Sequence, residues 1–149
     1  MAIHNTRGTR GEDYAARIMR RKGYWILDRN WRVGHLEMDI ICRNLWEIVF
    51  VEVKTRTAQL NNKLPEQYVD ADKQRHMVTA ANAYMKLKGY NPNKTIRFDV
   101  IGIDMTPDCK ILGYRHYKNA FHPKLKTYGE TKHIGAWRWF QSRKLHTPV

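Results

Sequence analysis

The chain has 149 residues, of which 42% are hydrophobic and 28% are charged. This composition suits one globular domain and excludes intrinsic disorder, which requires fewer large apolar residues. No apolar run approaches the roughly 20 residues that a membrane-spanning helix needs, and the cysteines and histidines match no zinc spacing. The N-terminal stretch lacks the apolar segment of a signal peptide, so we expect a cytoplasmic protein.

Charge is the most informative part of the composition. The 27 lysines and arginines against 14 acidic residues give a formal net charge of +13. An excess of this size attracts polyanions, so DNA is the leading partner and RNA is the alternative. Membrane-surface proteins can be equally basic, but the chain has no strongly amphipathic basic helix, and we expect no membrane partner.

The predicted elements, in chain order, are a helix at 11–22, strands at 24–32, 36–43 and 46–56, a helix at 67–88, and strands at 95–104 and 110–117. Gly23 is the predicted end of the first helix. A polar loop is expected at 57–66, before the second helix. This order predicts a single α/β (α+β) domain with a mixed sheet.

The strand at 46–56 carries charge where apolar residues are expected. Strand alternation places Glu52 and Lys54 on one face, at the end of an apolar row that includes Phe50. Burying a carboxylate or an ammonium is costly unless the charge is paired or bound to metal. These two side chains therefore call for a functional or a structural explanation.

The strand at 36–43 brings a second carboxylate to the same place. Alternation puts Asp39 and Ile41 on one face of this strand and Met38 and Ile40 on the other. A short turn makes the two strands antiparallel neighbours, so matched registers place Asp39 opposite or diagonal to Glu52. Two carboxylates at that separation repel each other, and a divalent cation relieves the repulsion.

The three charged side chains suit phosphodiester hydrolysis. Asp39 and Glu52 could bind Mg²⁺ or Mn²⁺, which polarises a phosphate and lowers the pKa of a bound water. Lys54 could position or deprotonate that water and offset the added charge of the transition state. The alternative interpretation is a structural ion pair between Glu52 and Lys54, with Asp39 at a solvated edge.

Glu12 and Lys73 are further candidates, each with a plain structural alternative. Glu12 shares an inward helix face with Ala15 and Met19, but it also completes a capping box that starts at Thr9. Lys73 could approach a phosphate or the metal site, or its ammonium could extend to solvent. Candidate nucleic-acid contacts are Arg7, Arg10, Arg32, Arg56 and Lys73, although each can equally be a solvated surface charge.

Several runs then occur together in one order: GxxGE ending at Glu12, GYWILDRNWR, LEMDII, FVEVKTR, AANAY and RFDVIGI. They resemble the YraN family, whose pattern is similar to the PD-(D/E)XK nuclease superfamily and to archaeal Holliday-junction resolvases. The resemblance covers about residues 7–121. It implies a restriction-endonuclease-like αβββαβ core with a mixed central sheet flanked by helices, over residues 1–121, followed by a basic aromatic extension at 122–149.

The resemblance also implies roles. Asp39 matches the metal-binding Asp, Glu52 and Lys54 match the E-x-K pair, Glu12 matches a helix Glu of resolvase-like members, and the carbonyl of Val53 would be a further metal ligand. The implied activity is a Mg²⁺- or Mn²⁺-dependent endonuclease for branched or structured DNA, with a homodimer expected. Two alternatives stay open: a nucleic-acid-binding accessory protein in DNA processing or uptake, and a basic RNA-associated module.

Overall fold

The computed structural model describes residues 3–57 and 69–123. Its elements are α1 (Ile3–Arg21), β1 (Trp25–Val33), β2 (Leu36–Arg43), β3 (Glu47–Thr57), α2 (Ala71–Leu87), β4 (Thr95–Met105) and β5 (Ile111–Tyr117). The predicted loop, apart from Thr57 in β3, and most of the predicted C-terminal extension lie outside the described residues. The boundary between 121 and 122 therefore stays a prediction.

The five strands form one sheet in the order β1-β2-β3-β4-β5. Neighbouring strands are antiparallel except β3 and β4, which are parallel and are connected through α2. The predicted order of elements and the mixed sheet are confirmed, and this α+β architecture is consistent with the restriction-endonuclease-like core. Within residues 3–57 and 69–123, neither helix is long and apolar enough to cross a membrane.

The helices cover opposite faces of the sheet. Ala15, Ala16 and Met19 of α1 pack on the face that carries Val49 and Val51. The other face packs against α2; its cluster includes Phe50, Phe98, Met77, Ala81 and Tyr84. Alternation in β3 therefore holds, and Glu52 follows Phe50 on the α2 face.

α1 ends where the sequence predicts but begins earlier. Gly23 has φ +86°, and the amide of Tyr24 donates to the carbonyl of Met19 at 3.1 Å, which closes the helix end. The predicted start at residue 11 is wrong, because the helix already begins at Ile3. Gly11 does not mark a boundary: it lies inside α1, where a Cβ would come 2.1 Å from Cγ2 of Thr55.

α2 begins after a capping residue. Asp70 has an extended backbone, and its side chain accepts a hydrogen bond from the amide of Lys73 at 2.8 Å. The predicted start at 67 is too early, since residues 69 and 70 are not helical. The cap fixes the first turn of α2, and with it the backbone of Lys73, beside β3.

Alternation in β2 is interrupted at Asp39. Met38 packs on the α2 face, yet Ile40 packs on the α1 face, so the prediction that they share a face is wrong. In the pairing of β1 with β2, the pairs Arg29–Ile40 and Trp31–Met38 lie on either side of Asp39. Asn30, which lies between Arg29 and Trp31 on β1, has φ +48°. A left-handed residue inside a strand changes the direction of the side chains that follow.

Candidate active site

Asp39 and Glu52 lie side by side across β2 and β3. The register pairs Ile40 with Val51, and its continuation by one residue sets Asp39 opposite Glu52. Oδ2 of Asp39 accepts a hydrogen bond of 2.7 Å from the amide of Val53. The structure thus brings together the two carboxylates that the sequence predicted as neighbours, although Asp39 reaches this position through an interrupted strand.

The environment of Asp39 favours its protonated form. Burial and the negative charge of Glu52 raise the pKa of Asp39, and the Val53 amide and Lys73 oppose them only in part, leaving a pKa of about 7. A cation placed between the two carboxyl groups would offset the part of the shift that comes from the negative charge of Glu52.

Glu52 contacts Lys73 rather than Lys54. Nζ of Lys73 lies 2.9 Å from Oε2 of Glu52 as an ion pair. That oxygen is buried and receives no well-directed hydrogen bond from the described residues. Burial would lower the pKa of Lys73, but Glu52 outweighs it and raises the pKa above its usual value. The interpretation that Lys73 extends to solvent is wrong.

The next charged side chain along β3 is Lys54. It follows Glu52 by two residues on the α2 face of β3 and pairs with Gly102 of β4, which has no side chain to cover it. Lys54 makes no hydrogen bond or ion pair within residues 3–57 and 69–123. The alternative of a structural Glu52–Lys54 pair is therefore not what the structure shows.

Glu12 faces the same region from α1. Its Oε2 accepts a hydrogen bond of 2.8 Å from Nδ2 of Asn30, the left-handed residue of β1. Burial raises the pKa of Glu12 despite the opposing charge of Arg29, and Glu52 adds to the rise. The capping interpretation is wrong, because Thr9 lies well inside α1.

The donors at this site fit a hard divalent cation. Asp39 and Glu52 offer carboxylate oxygens, and the carbonyl of Val53 lies on the same strand segment. No group of three or more His, Cys, Asp or Glu side chains in the described part of the chain is placed to hold a metal. One or two carboxylates completed by waters and substrate oxygens is the pattern that Mg²⁺ accepts. A cation bound here would share Glu52 with the ammonium of Lys73.

Two of the predicted basic contacts hold the fold together away from this site. Arg7 donates to the carbonyl of Pro107 at 3.4 Å, and Arg10 donates to the carbonyl of Cys109 at 3.1 Å. Both bonds tie α1 to the turn between β4 and β5. Arg32 forms two hydrogen bonds with the carboxylate of Glu37, at 3.2 and 3.1 Å, on an exposed strand end.

Arg56 is closer to the candidate centre. It lies on the same face of β3 as Glu52 and Lys54, and its Nε contacts Oδ1 of Asp104 at 2.5 Å. Arg115 of β5 binds the same carboxylate at 2.6 Å. These hydrogen bonds hold the pKa of Asp104 far below its usual value, so the carboxylate stays charged and fixes both guanidinium groups.

Sequence reasoning missed Asn30, Arg115 and the partner of Lys73. An asparagine inside the strand pattern DRNWR is a usable signal, because Asn tolerates left-handed backbone and is rare in strands. Arg115 reaches Asp104 from the adjacent strand β5, and Lys73 reaches Glu52 from α2. The second contact depends on how the helix packs on the sheet, which no local pattern predicts.

The chain is similar to proteins of a family that is described as uncharacterised. The model of "Uncharacterised protein family UPF0102" matches residues 11–103. A UPF0102 protein of Bacteroides thetaiotaomicron is 43% identical over 84% of this chain and 99% of its own length. One from Porphyromonas gingivalis is 40% identical over 85% and 91%, and one from Dictyoglomus turgidum is 36% identical over 76% and 95%.

Among solved structures, the chain is similar to Pyrococcus furiosus SfsA in complex with Ca²⁺. The two are 18% identical with a TM-score of 0.37, and the match covers 74% of this chain and 63% of that chain. This chain therefore spans less than two thirds of SfsA. A likeness this distant carries no argument about activity or ligand.

Proposed function

We propose that this chain, which belongs to the uncharacterised protein family UPF0102, is a metal-dependent endonuclease that hydrolyses phosphodiester bonds in branched or structured DNA. UPF0102 is the YraN family that the sequence motifs predict, so the matches to UPF0102 proteins confirm that prediction. The observation that carries the proposal is the placement of Asp39 beside Glu52, with Lys54 next to them on β3.

Each residue has a task in the proposed reaction. Asp39, Glu52 and the carbonyl of Val53 would hold Mg²⁺ or Mn²⁺, which when bound polarises the phosphate and acidifies a water. Lys54 orients the attacking water and offsets the charge that builds up on the phosphate oxygens. Glu12, held by Asn30, adds a carboxylate at the rim that can accept a hydrogen bond from a water of the site.

The choice of substrate rests on charge and on the motif resemblance. A net charge of +13 attracts a polyanion, and Arg56 lies on the strand face next to Lys54, where a neighbouring phosphate would pass. Resolvase-like proteins, which the motifs resemble, act on branched DNA as dimers. A two-fold dimer would present two such sites to two strands.

The test is cleavage of a substrate panel by the full chain. Labelled four-way junction, flap, linear duplex and RNA hairpin are incubated with Mg²⁺ or Mn²⁺ and wild type, Glu52→Gln or Lys54→Met. Lys86→Met, an exposed change in the last turn of α2, is the matched control for lost positive charge. We expect metal-dependent cleavage by wild type and Lys86→Met, strongest on branched DNA. Equal cleavage by Glu52→Gln would refute the assignment.

A second candidate is a non-catalytic nucleic-acid-binding accessory protein with the same fold. The ion pair between Lys73 and Glu52 favours it, because the ammonium already neutralises a carboxylate that a nuclease would give to metal. In that case DNA binding survives Glu52→Gln and weakens steeply with salt. Calorimetry would then detect no divalent binding that depends on Glu52.

A further inference from the structure

The ammonium of Lys73 lies against the carboxylate that a metal ion at this site would bind. Its Nζ lies 2.9 Å from Oε2 of Glu52, the buried oxygen without a well-directed hydrogen bond. The nearby Oδ2 of Asp39 is already held by the amide of Val53. Lys73 is therefore the cation that offsets the two carboxylates in the structure as it stands.

We propose that Lys73 is a built-in competitor of the divalent cation: its ammonium neutralises the Asp39–Glu52 pair in the metal-free protein and leaves when metal binds. This inference rests on the metal site of the proposed function. It adds that the affinity of the site for metal is set by a residue that is not a ligand.

The two cations compete for the same carboxylate. Mg²⁺ binds carboxylate oxygens at about 2.0–2.1 Å and keeps a shell of waters around it. The ammonium of Lys73, 2.9 Å from Oε2 of Glu52, competes with such a cation for the same carboxylate. Two positive charges on one carboxylate repel strongly in a partly buried site, so one of them has to move.

Lys73 can move without disturbing the fold. The hydrogen bond from its amide to Asp70 holds the backbone at the first turn of α2, and 32% of its side chain is exposed. A four-carbon stem lets the ammonium swing to the solvent side while the helix stays in place. After the exchange the ammonium remains near the site, where it can contact a phosphate of the substrate.

Calorimetric titration of the full chain with Mn²⁺ tests the proposal. Removal of the competitor in Lys73→Met should tighten Mn²⁺ binding by several-fold up to about tenfold, a change of about 1.4 kcal/mol at the upper end. Lys86→Met removes the same charge at the other end of α2 and should bind Mn²⁺ like wild type. Lys73→Arg keeps the cation, so it should bind Mn²⁺ no more tightly than wild type.

Thermal unfolding gives a second readout. In EDTA, Lys73→Met should melt below wild type, because Glu52 and Asp39 lose their cation; Mn²⁺ should raise its Tm more than it raises that of wild type. A Lys73→Met protein that binds Mn²⁺ as wild type does, more weakly, or not at all overturns the proposal. Cleavage assays judge the nuclease separately, since competition for metal can hold in a protein that cuts nothing.

Discussion

The amide of Val53 on β3 donates a hydrogen bond of 2.7 Å to Oδ2 of Asp39 on β2. This bond keeps the Asp39 carboxylate turned towards Glu52, even though both groups are acidic and partly or largely buried. The strands thus hold two repelling groups together, and this arrangement has a measurable consequence for stability.

The first prediction concerns Asp39→Asn in metal-free protein. The pKa of Asp39 is about 7 in the fold and about 3.9 in an unfolded chain. Between these two values Asp39 stays protonated in the folded state but is ionised in the unfolded chain. The free energy of unfolding therefore falls as pH rises from about 4 and stops falling above about 7. At pH 8, Asp39→Asn should be more stable than wild type by on the order of 2–4 kcal/mol.

Urea unfolding in EDTA at pH 4.5, 6 and 8 measures this difference. The advantage of Asp39→Asn should be small at pH 4.5 and grow towards pH 8. Asp72→Asn, which changes an exposed carboxylate in the first turn of α2, is the control and should track wild type across the range. Parallel pH profiles for wild type and Asp39→Asn would contradict the raised pKa.

A second prediction compares two glycines of α1. A Cβ at Gly11 would lie 2.1 Å from Cγ2 of Thr55, so Gly11→Ala should destabilise the fold by about 1–3 kcal/mol through overpacking. At Gly8 a Cβ meets nothing within 4 Å, so Gly8→Ala should gain about 0.5–1 kcal/mol of helix stability. Urea midpoints that shift in the same direction for both variants would show that α1 does not pack on β3 in this way.

The same glycines show what the sequence could not predict. The predicted start of the first helix at residue 11 left Gly8 outside it, whereas the structure places both glycines inside α1. At Gly11 a side chain would meet Thr55, which is 44 positions further along the chain. No local pattern reveals this contact. By contrast, β2 was predicted at its observed bounds of 36–43, since a short turn and an apolar run define it locally.

A third prediction concerns the buried ion network around β4. Arg97 donates two hydrogen bonds, of 2.7 and 2.8 Å, to the fully buried carboxylate of Asp99. Burial would raise the pKa of Asp99, but bonds from His116 and Arg97 outweigh it and lower the pKa. Arg97→Met should therefore cost about 3–5 kcal/mol, because it leaves a buried charge undercompensated.

Arg32→Met is the matched control for that variant. Arg32 pairs with Glu37 on the surface, where its side chain is 71% exposed, so its loss should hardly change the urea midpoint. Similar midpoints for Arg97→Met and Arg32→Met would mean that Asp99 is neutral or solvated rather than a buried anion.

The candidate site was predictable only in part. Asp39, Glu52 and Lys54 lie on adjacent strands joined by a short turn, so the turn and the strand register predicted them as neighbours. The break in alternation between Met38 and Ile40 was not predictable in this way. Lys73 approaches Glu52 only because α2 crosses the sheet, and Asn30 reaches Glu12 only because α1 packs beside β1. Both contacts depend on helix placement, which follows from packing of the whole core.

A fourth prediction separates chemistry from metal binding. Lys54 forms no hydrogen bond or ion pair with Asp39 or Glu52 in the described structure, so Lys54→Met should leave Mn²⁺ affinity within about twofold of wild type. The cleavage rate constant should nevertheless fall by about 10²–10⁴, the usual contribution of a positioned acid–base group. Calorimetry and single-turnover kinetics on one preparation measure both; loss of Mn²⁺ binding would place Lys54 in the metal site instead.

The most direct test of the proposed activity is the single-turnover cleavage rate of a four-way DNA junction in Mn²⁺, for wild type and Glu52→Gln. Glu52 is the carboxylate that the fold buries beside Asp39, and Gln preserves its shape while removing its charge. We expect wild type to cut the junction in a metal-dependent manner and Glu52→Gln to fall to the background rate. Equal rates for the two proteins, or no cleavage by wild type of this or any other substrate of the panel, would contradict a nuclease centred on Asp39 and Glu52.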